Sequence, residues 1–168
     1  MADLAWWLAN FQQSAFRLER LQAYHIPQEA ELFAAFKRGE DVRVPDDHPW
    51  PKLVHYATHT GKTMQRIRVV EHPLSDYVRF ELSLYPRSVE AGEDIRVARL
   101  DERPQLAQCE QDFWLFDDEV AVVLDYDDRG GFLGCRTNPD LDRYRNLREL
   151  ALACSMELSA YTTRTARR

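Results

Sequence analysis

Seven side chains between residues 66 and 85 carry the chemistry most open to interpretation: Arg66, Arg68, Glu71, Tyr77, Arg79, Glu81 and Tyr85. Arginine offers a planar fork of donors that fits a carboxylate or phosphate, and tyrosine adds a flat apolar body with a polar tip. Interleaved, the two recognise a carboxylate, a phosphate, a base or an acidic protein surface. The pattern speaks of binding sooner than of catalysis, and no catalytic residue is assigned.

Other constellations are thinner. His55 and His59 stand four apart on an expected helix, so both rings share a face, yet no glutamate intervenes and no third ligand is implied. The run Asp125-Tyr126-Asp127-Asp128-Arg129 resembles a calcium loop, but Arg129 falls where a ligand oxygen is needed. No metal and no cofactor is therefore expected. Cys109, Cys135 and Cys154 are odd in number and widely spaced, and the last two lie within apolar patterns, which suits reduced thiols in a cytoplasm. Nucleophile elbow, P-loop and dinucleotide fingerprint are all missing from the sequence.

Composition narrows the classes further. A 168-residue chain that is 45% hydrophobic and 30% charged is one soluble domain's worth, neither disordered nor fibrous. Net charge is −6, so direct DNA binding is not expected. The basic tail at 162–168 holds only Arg164, Arg167 and Arg168, a small footprint for nucleic acid. No apolar run approaches the ~18 residues of a membrane span. The N-terminus lacks the basic start of a secretory signal, and a cytoplasmic location is expected.

The elements that must position the seven residues follow from periodicity. Leu4, Trp7, Leu8, Phe11, Ala15 and Leu18 recur at helical spacing and predict one N-terminal helix. Pro27 opens a second helix that Gly39 ends, and a third runs from Lys52 to about Thr60. Thr63 to Glu71 and Tyr77 to Tyr85 alternate apolar and polar residues, which predicts two strands joined as a hairpin by the short link 72–76. Two registers oppose the apolar sets; one places Arg66 across from Glu81 and Arg68 across from Arg79, the other places Arg68 across from Glu81. Like charges directly opposite disfavour the first. In both, Glu81 faces an arginine on a solvated sheet face.

Pro86 should stop the second strand, and Ile95 with Val97 marks another. Phe113 to Phe116, Val120 to Tyr126 and Phe132 to Thr137 predict three more, the last two joined by a glycine-bearing turn at 127–131. Asn138 as N-cap and Pro139 at the first helical position predict a long C-terminal helix over 138–161. The expected fold is α+β in a single domain, 1–168: helical over 1–62, a mainly antiparallel sheet over 63–137, then the C-terminal helix and the basic tail.

Four blocks in order, Arg66-Ile67-Arg68-Val69-Val70-Glu71, Asp76-Tyr77-Val78-Arg79-Phe80-Glu81, Glu90-Ala91-Gly92-Glu93-Asp94-Ile95-Arg96 and Phe113-Trp114-Leu115-Phe116-Asp117-Asp118, resemble an uncharacterised family of high-GC Gram-positive bacteria, classed as a domain of unknown function. Phe16-Arg17-Leu18-Glu19 and Asp142-Arg143-Tyr144-Arg145 fit the same pattern. Members of that family are commonly encoded beside a helix-turn-helix transcriptional regulator. The resemblance therefore implies a regulatory pair, and because the family has no established reaction it carries over no catalytic residue.

The expected function is that of a non-enzymatic regulatory or ligand-binding protein, whose arginine–tyrosine face meets the regulator or a small anionic ligand. One alternative is a toxin-like nuclease or nucleotide-acting enzyme, with Arg66, Arg68 and Arg79 on phosphates and His55 or Glu81 as base. Another is a homodimeric scaffold, with Trp6 and Trp7 marking the interface.

Overall fold

A computed structural model describes residues 3–166. Asp3 caps the first helix, α1 (Leu4–Asn10), by accepting from the Ala5 N–H at 3.0 Å. The helix stops there, and Ser14–Glu19 forms β1. The expected single helix over residues 4–18 is thus a helix followed by a strand. Ala15 to Glu19 is buried along its whole length, so the alternation of Phe16-Arg17-Leu18-Glu19 separates an apolar face from an ionic one rather than a dry face from a wet one.

A short 3₁₀ turn at Pro27–Glu29 leads into α2 (Ala30–Lys37). After a loop comes α3 (Pro49–His59), which ends before Gly61, where φ is +86°. Strand β2 is Thr63–Val70. The segment expected as its hairpin partner is instead the helix α4 (Asp76–Glu90), capped by Ser75, whose hydroxyl accepts from the Val78 N–H at 3.0 Å. Pro86 lies inside this helix rather than ending a strand.

The chain continues through β3 (Asp94–Arg99), a 3₁₀ turn at Pro104–Gln108, β4 (Phe113–Phe116), β5 (Val120–Tyr126) and β6 (Phe132–Asn138). The C-terminal helix is broken into α5 (Leu141–Ala153), the short strand β7 (Ser155–Glu157) and α6 (Leu158–Ala166). Its N-cap is Asp140, not Asn138, which instead accepts from the Asp140 N–H. Cys154 closes α5, and β7 pairs with β3 before α6 begins. Among the described residues no helix is long and apolar enough to cross a membrane.

One seven-stranded sheet runs in the order β6-β5-β4-β1-β2-β3-β7. Strands β1, β2 and β3 are mutually parallel, while β4, β5, β6 and β7 pair antiparallel with their neighbours. The sheet is therefore mixed rather than mainly antiparallel, and a strand lies within the segment expected to be helical, 1–62. Parallel neighbours need a long crossover, supplied by the segment with α2 and α3 between β1 and β2, and by α4 between β2 and β3.

The two faces of the sheet differ. Phe16, Leu18, Ile67, Val69, Phe113 and Leu115 join one apolar cluster with Tyr144 and Ala151 of α5. On the opposite face the apolar residues fall into two groups. Ala15, Met64 and Trp114 pack with Val54 and Ala57 of α3, while Val70 and Val97 pack with Val78 and Tyr85 of α4. Between these groups the same face carries Arg17, Glu19, Arg66 and Arg68.

Candidate functional site

Strand alternation explains why four charges stand together. Residues two apart on a strand share a face, so Arg17 and Glu19 project together from β1, and Arg66 and Arg68 from β2. The parallel register sets Arg17 beside Arg66 and Glu19 beside Arg68. Two arginines side by side repel, and buried they repel more, so the arrangement holds only if carboxylates interleave with them.

They do. One Glu19 oxygen, Oε1, accepts from Arg66 Nη1 at 2.8 Å and lies 3.6 Å from Arg17 Nε, and Oε2 accepts from the Tyr85 hydroxyl at 2.8 Å. Arg66 Nε donates to Glu93 at 2.8 Å, and Trp50 Nε1 donates to the other Glu93 oxygen at 3.0 Å. Arg17 Nη2 donates to Asp112 at 2.8 Å and to the Tyr126 hydroxyl at 3.1 Å. The Tyr24 hydroxyl donates to the same Asp112 oxygen, whose partner oxygen accepts from the Arg20 and Leu21 N–H groups. Arg68, with no exposed surface, donates through Nε to Glu81 of α4 at 2.9 Å. Aromatic rings complete the packing: Arg17 lies over Trp114, and Arg66 lies between Trp50 and Tyr85.

The floor is not fully satisfied. Among the described residues Arg17 Nη1 and Arg68 Nη2 are buried without a hydrogen-bond acceptor. Arg68 Nη2 stands 2.7 Å from Glu81 Oε2, an ion-pair contact without hydrogen-bond alignment. Arg66 uses Nε and Nη1, which leaves Nη2 without a partner among the described residues.

Burial and neighbouring charge push the two central carboxyls in opposite directions. Burial alone would raise the Glu19 carboxyl, but Arg66, Arg17 and Arg68 outweigh it and hold it at about 2. For Glu81 burial wins: reinforced by the charge of Glu19, it exceeds the pull of Arg68 and raises the carboxyl to about 8. Tyr24, Tyr77 and Tyr85 are also raised, chiefly by burial, and remain protonated at neutral pH.

Two cavities open onto this floor. The larger one, of about 620 Å³, is lined by Arg17, Glu19, Tyr24, Tyr77 and Tyr126, with Leu4, Ile26, Pro27 and Phe132 also in its wall. The smaller one, of about 550 Å³, is lined by His48, Trp50, Phe80, Leu84 and Tyr85. Gln28, Glu29, Arg66 and Glu81 line both, so the cavities adjoin. Each falls in the size range of small-molecule sites. The Asp127–Gly131 turn forms part of the wall, tied to the neighbouring loop where the His25 N–H donates to the Gly130 carbonyl at 2.9 Å. Gly130 is needed there: its φ is +82°, and a Cβ would lie 2.5 Å from the Ala23 carbonyl oxygen.

The seven residues expected as a binding face divide. Arg66, Tyr77, Glu81 and Tyr85 gather at the cavities, and Arg68 lies beneath them. Arg79 points away on the exposed side of α4, paired with Asp76, and Glu71 pairs with Arg20 near the surface. Glu81 does meet Arg68, but from a helix over the strand and not across a hairpin. The wet sheet face is therefore a buried ionic floor. Sequence reading missed Arg17, Glu19, Tyr24, Glu93, Asp112 and Tyr126. The charge alternation of Arg17-Leu18-Glu19 is a strand signal for the first two, and the i, i+4, i+8 spacing of Tyr77, Glu81 and Tyr85 is a helical one for the face of α4.

His55 and His59 stack on α3 with ring centroids 3.7 Å apart. Among the described residues no three His, Cys, Asp or Glu side chains are grouped to hold a metal ion. Asp127 uses one carboxylate oxygen to accept from the Arg129 and Gly131 N–H groups, as a turn-former does.

Fold and site together define a mixed α/β protein with a ligand-sized cleft over a buried arginine–glutamate lattice. Over residues 2–163 the chain matches the domain of unknown function DUF6879, and it belongs to that family. Neither curated proteins nor solved structures give a match.

Proposed function

We propose that this protein binds a small molecule in the double cleft and acts without catalysing a reaction on it. One observation carries the reading: Arg66 and Glu81, held by opposed charges, are shared by two adjoining cavities of ligand size. Buried ion pairs are costly to keep and contribute little net stability. Their concentration beneath an open cleft, with guanidinium nitrogens left unpartnered, fits recognition better than fold maintenance.

The nuclease alternative is less well supported, because Arg79 stands apart from Arg66 and Arg68 and His55 is not at the cleft. The helix-turn-helix regulator stays in the proposal as the partner that would read occupancy. A flat arginine face is not assembled for it to grip, so the small ligand is the primary contact.

Protein-observed NMR with a mixed panel of small acids, amines, sugars and nucleosides tests the reading. Hits should perturb the side-chain resonances of Arg66, Tyr77 and Tyr126 together. Perturbations confined to the surface around Trp6, which is 54% exposed, would refute it in favour of an interface role.

A further inference from the structure

Resting on that binding reading, we propose that the cavity beside Arg17 takes a monoanionic amphiphile, a single carboxylate on a compact apolar group, with its head toward Arg17 and Arg66 and its apolar end against Ile26, Pro27 and Phe132.

The head group follows from the donors left over. Arg17 is 6% exposed, lines the cavity and has a buried Nη1 without an acceptor; its register neighbour Arg66 lines the same cavity with Nη2 unused. Register neighbours on paired strands are about 4.8 Å apart at the backbone, close enough for two guanidinium groups to share one anion. A buried donor left unpaired is costly, and a charge-assisted bond to a carboxylate would relieve that cost.

The charge count limits the head to one. Arg17 and Arg66 are matched by Glu19, Glu93 and Asp112, and Arg68 by Glu81, through the contacts described above. Glu81 has its carboxyl raised by burial, so it can carry a proton while a ligand carboxylate is present. A di- or triphosphate would bring more negative charge than one protonated carboxyl can offset, which burial penalises heavily.

The apolar end follows from the rim. Phe132 is 53% and Ile26 39% exposed, and both line the mouth of the cavity with Pro27 and Leu4. Phe132 stands edge-on to Tyr126 with centroids 5.9 Å apart, so the apolar wall runs from the rim toward the Arg17 partner. Exposed apolar side chains gathered around one cavity mark where an apolar group is covered.

Calorimetric and NMR titration of the full chain with phenylacetate, phenylacetamide and AMP tests this. Phenylacetate should bind saturably and shift the cavity resonances, with phenylacetamide and AMP each at least tenfold weaker. Arg17→Lys keeps the charge but removes the unused nitrogen and should weaken phenylacetate at least tenfold. Because that residue is buried, Phe132→Ser provides a second reading on a folded protein, with a three- to tenfold loss at unchanged melting temperature. If phenylacetamide or AMP binds as tightly at the same resonances, the carboxylate class is wrong and the binding cleft stands. If no acid, amine, sugar, nucleoside or nucleotide perturbs the cavity, both readings fall.

Discussion

Replacing Glu81 by glutamine asks whether the carboxyl above Arg68 is held protonated by the fold. In the unfolded chain it titrates near its ordinary 4.5, whereas burial and the charge of Glu19 raise it to about 8 in the fold. A raised carboxyl binds more protons folded than unfolded between those values, so its effect is to lower stability as pH rises through that window. At about 1.4 kcal/mol for each tenfold difference in proton affinity, the ceiling is about 5 kcal/mol. Relaxation and a higher effective dielectric bring the expected loss to about 1–3 kcal/mol. The amide of Glu81→Gln does not titrate, so near pH 5 the variant should match the wild type within about 1 kcal/mol, and near pH 8.5 it should be the more stable by that loss. For a chain of this length about 2 kcal/mol moves the midpoint by about 4–8 °C. Thermal melts of both proteins at half-unit pH steps measure the crossing. If the glutamine variant instead becomes relatively less stable as pH rises, Glu81 is an ordinary ion-paired carboxylate and the reasoning fails.

Other outcomes follow from neighbouring contacts. Arg68→Met should destabilise the fold by about 1–3 kcal/mol by leaving the buried Glu81 carboxyl without its partner, whereas Arg79→Ala, exposed and paired only with Asp76, should stay within about 0.5 kcal/mol; denaturant melts separate the two. Glu19, held at about 2 against burial, contributes stability present above its ordinary value and lost as pH falls through 4.5 toward 2, so Glu19→Gln should flatten the acid limb of the stability curve. In the native protein Cys154, partly exposed, should react with a thiol reagent before Cys109, which is buried and raised to about 11; equal rates would mean the helix end at Cys154 is no more open than the core. Gly130→Ala, with a left-handed φ and the Ala23 carbonyl in the way, should lower the melting midpoint and weaken phenylacetate binding together.

How far the sequence could be read depended on whether a segment is buried on one side or two. Strands β4, β5 and β6 were legible because hairpin neighbours carry their own turn chemistry, as at Asp127 and Gly130. Helix α4 was not. Phe80 and Tyr77 pack toward α2 while Val78 and Tyr85 pack toward the sheet, so two-sided burial erased the single apolar stripe, and Val78, Phe80, Leu82 and Leu84 imitated a strand. Strand β1 was hidden because Ala15 and Leu18 continue the helical spacing of Leu4, Trp7, Leu8 and Phe11, which outweighed the short alternation of Phe16-Arg17-Leu18-Glu19. The stripe of α5 runs on in register toward Leu158 and Tyr161, which disguised the three-residue β7 between the helices. The parallel pairing of β1, β2 and β3 leaves no local mark, because crossovers join residues far apart in the chain. The floor of the cleft is assembled by those same crossovers, which is why only the part on residues 66–85 was visible beforehand.

Strand β1 sits at the centre of the sheet, yet its two neighbours come from opposite halves of the chain. Arg17 must wait for Asp112, 95 positions downstream, for the carboxylate it hydrogen-bonds. During synthesis the residues ahead of Asp112 therefore emerge with Arg17 still hydrated and one edge of the central strand open. Closing so long a loop is slow, and the exposed edge is where a nascent chain would be caught by a chaperone or by a second copy of itself. The arrival of residues 112–116 supplies both the missing carboxylate and the missing strand, so the binding floor and the middle of the sheet are completed in one late step.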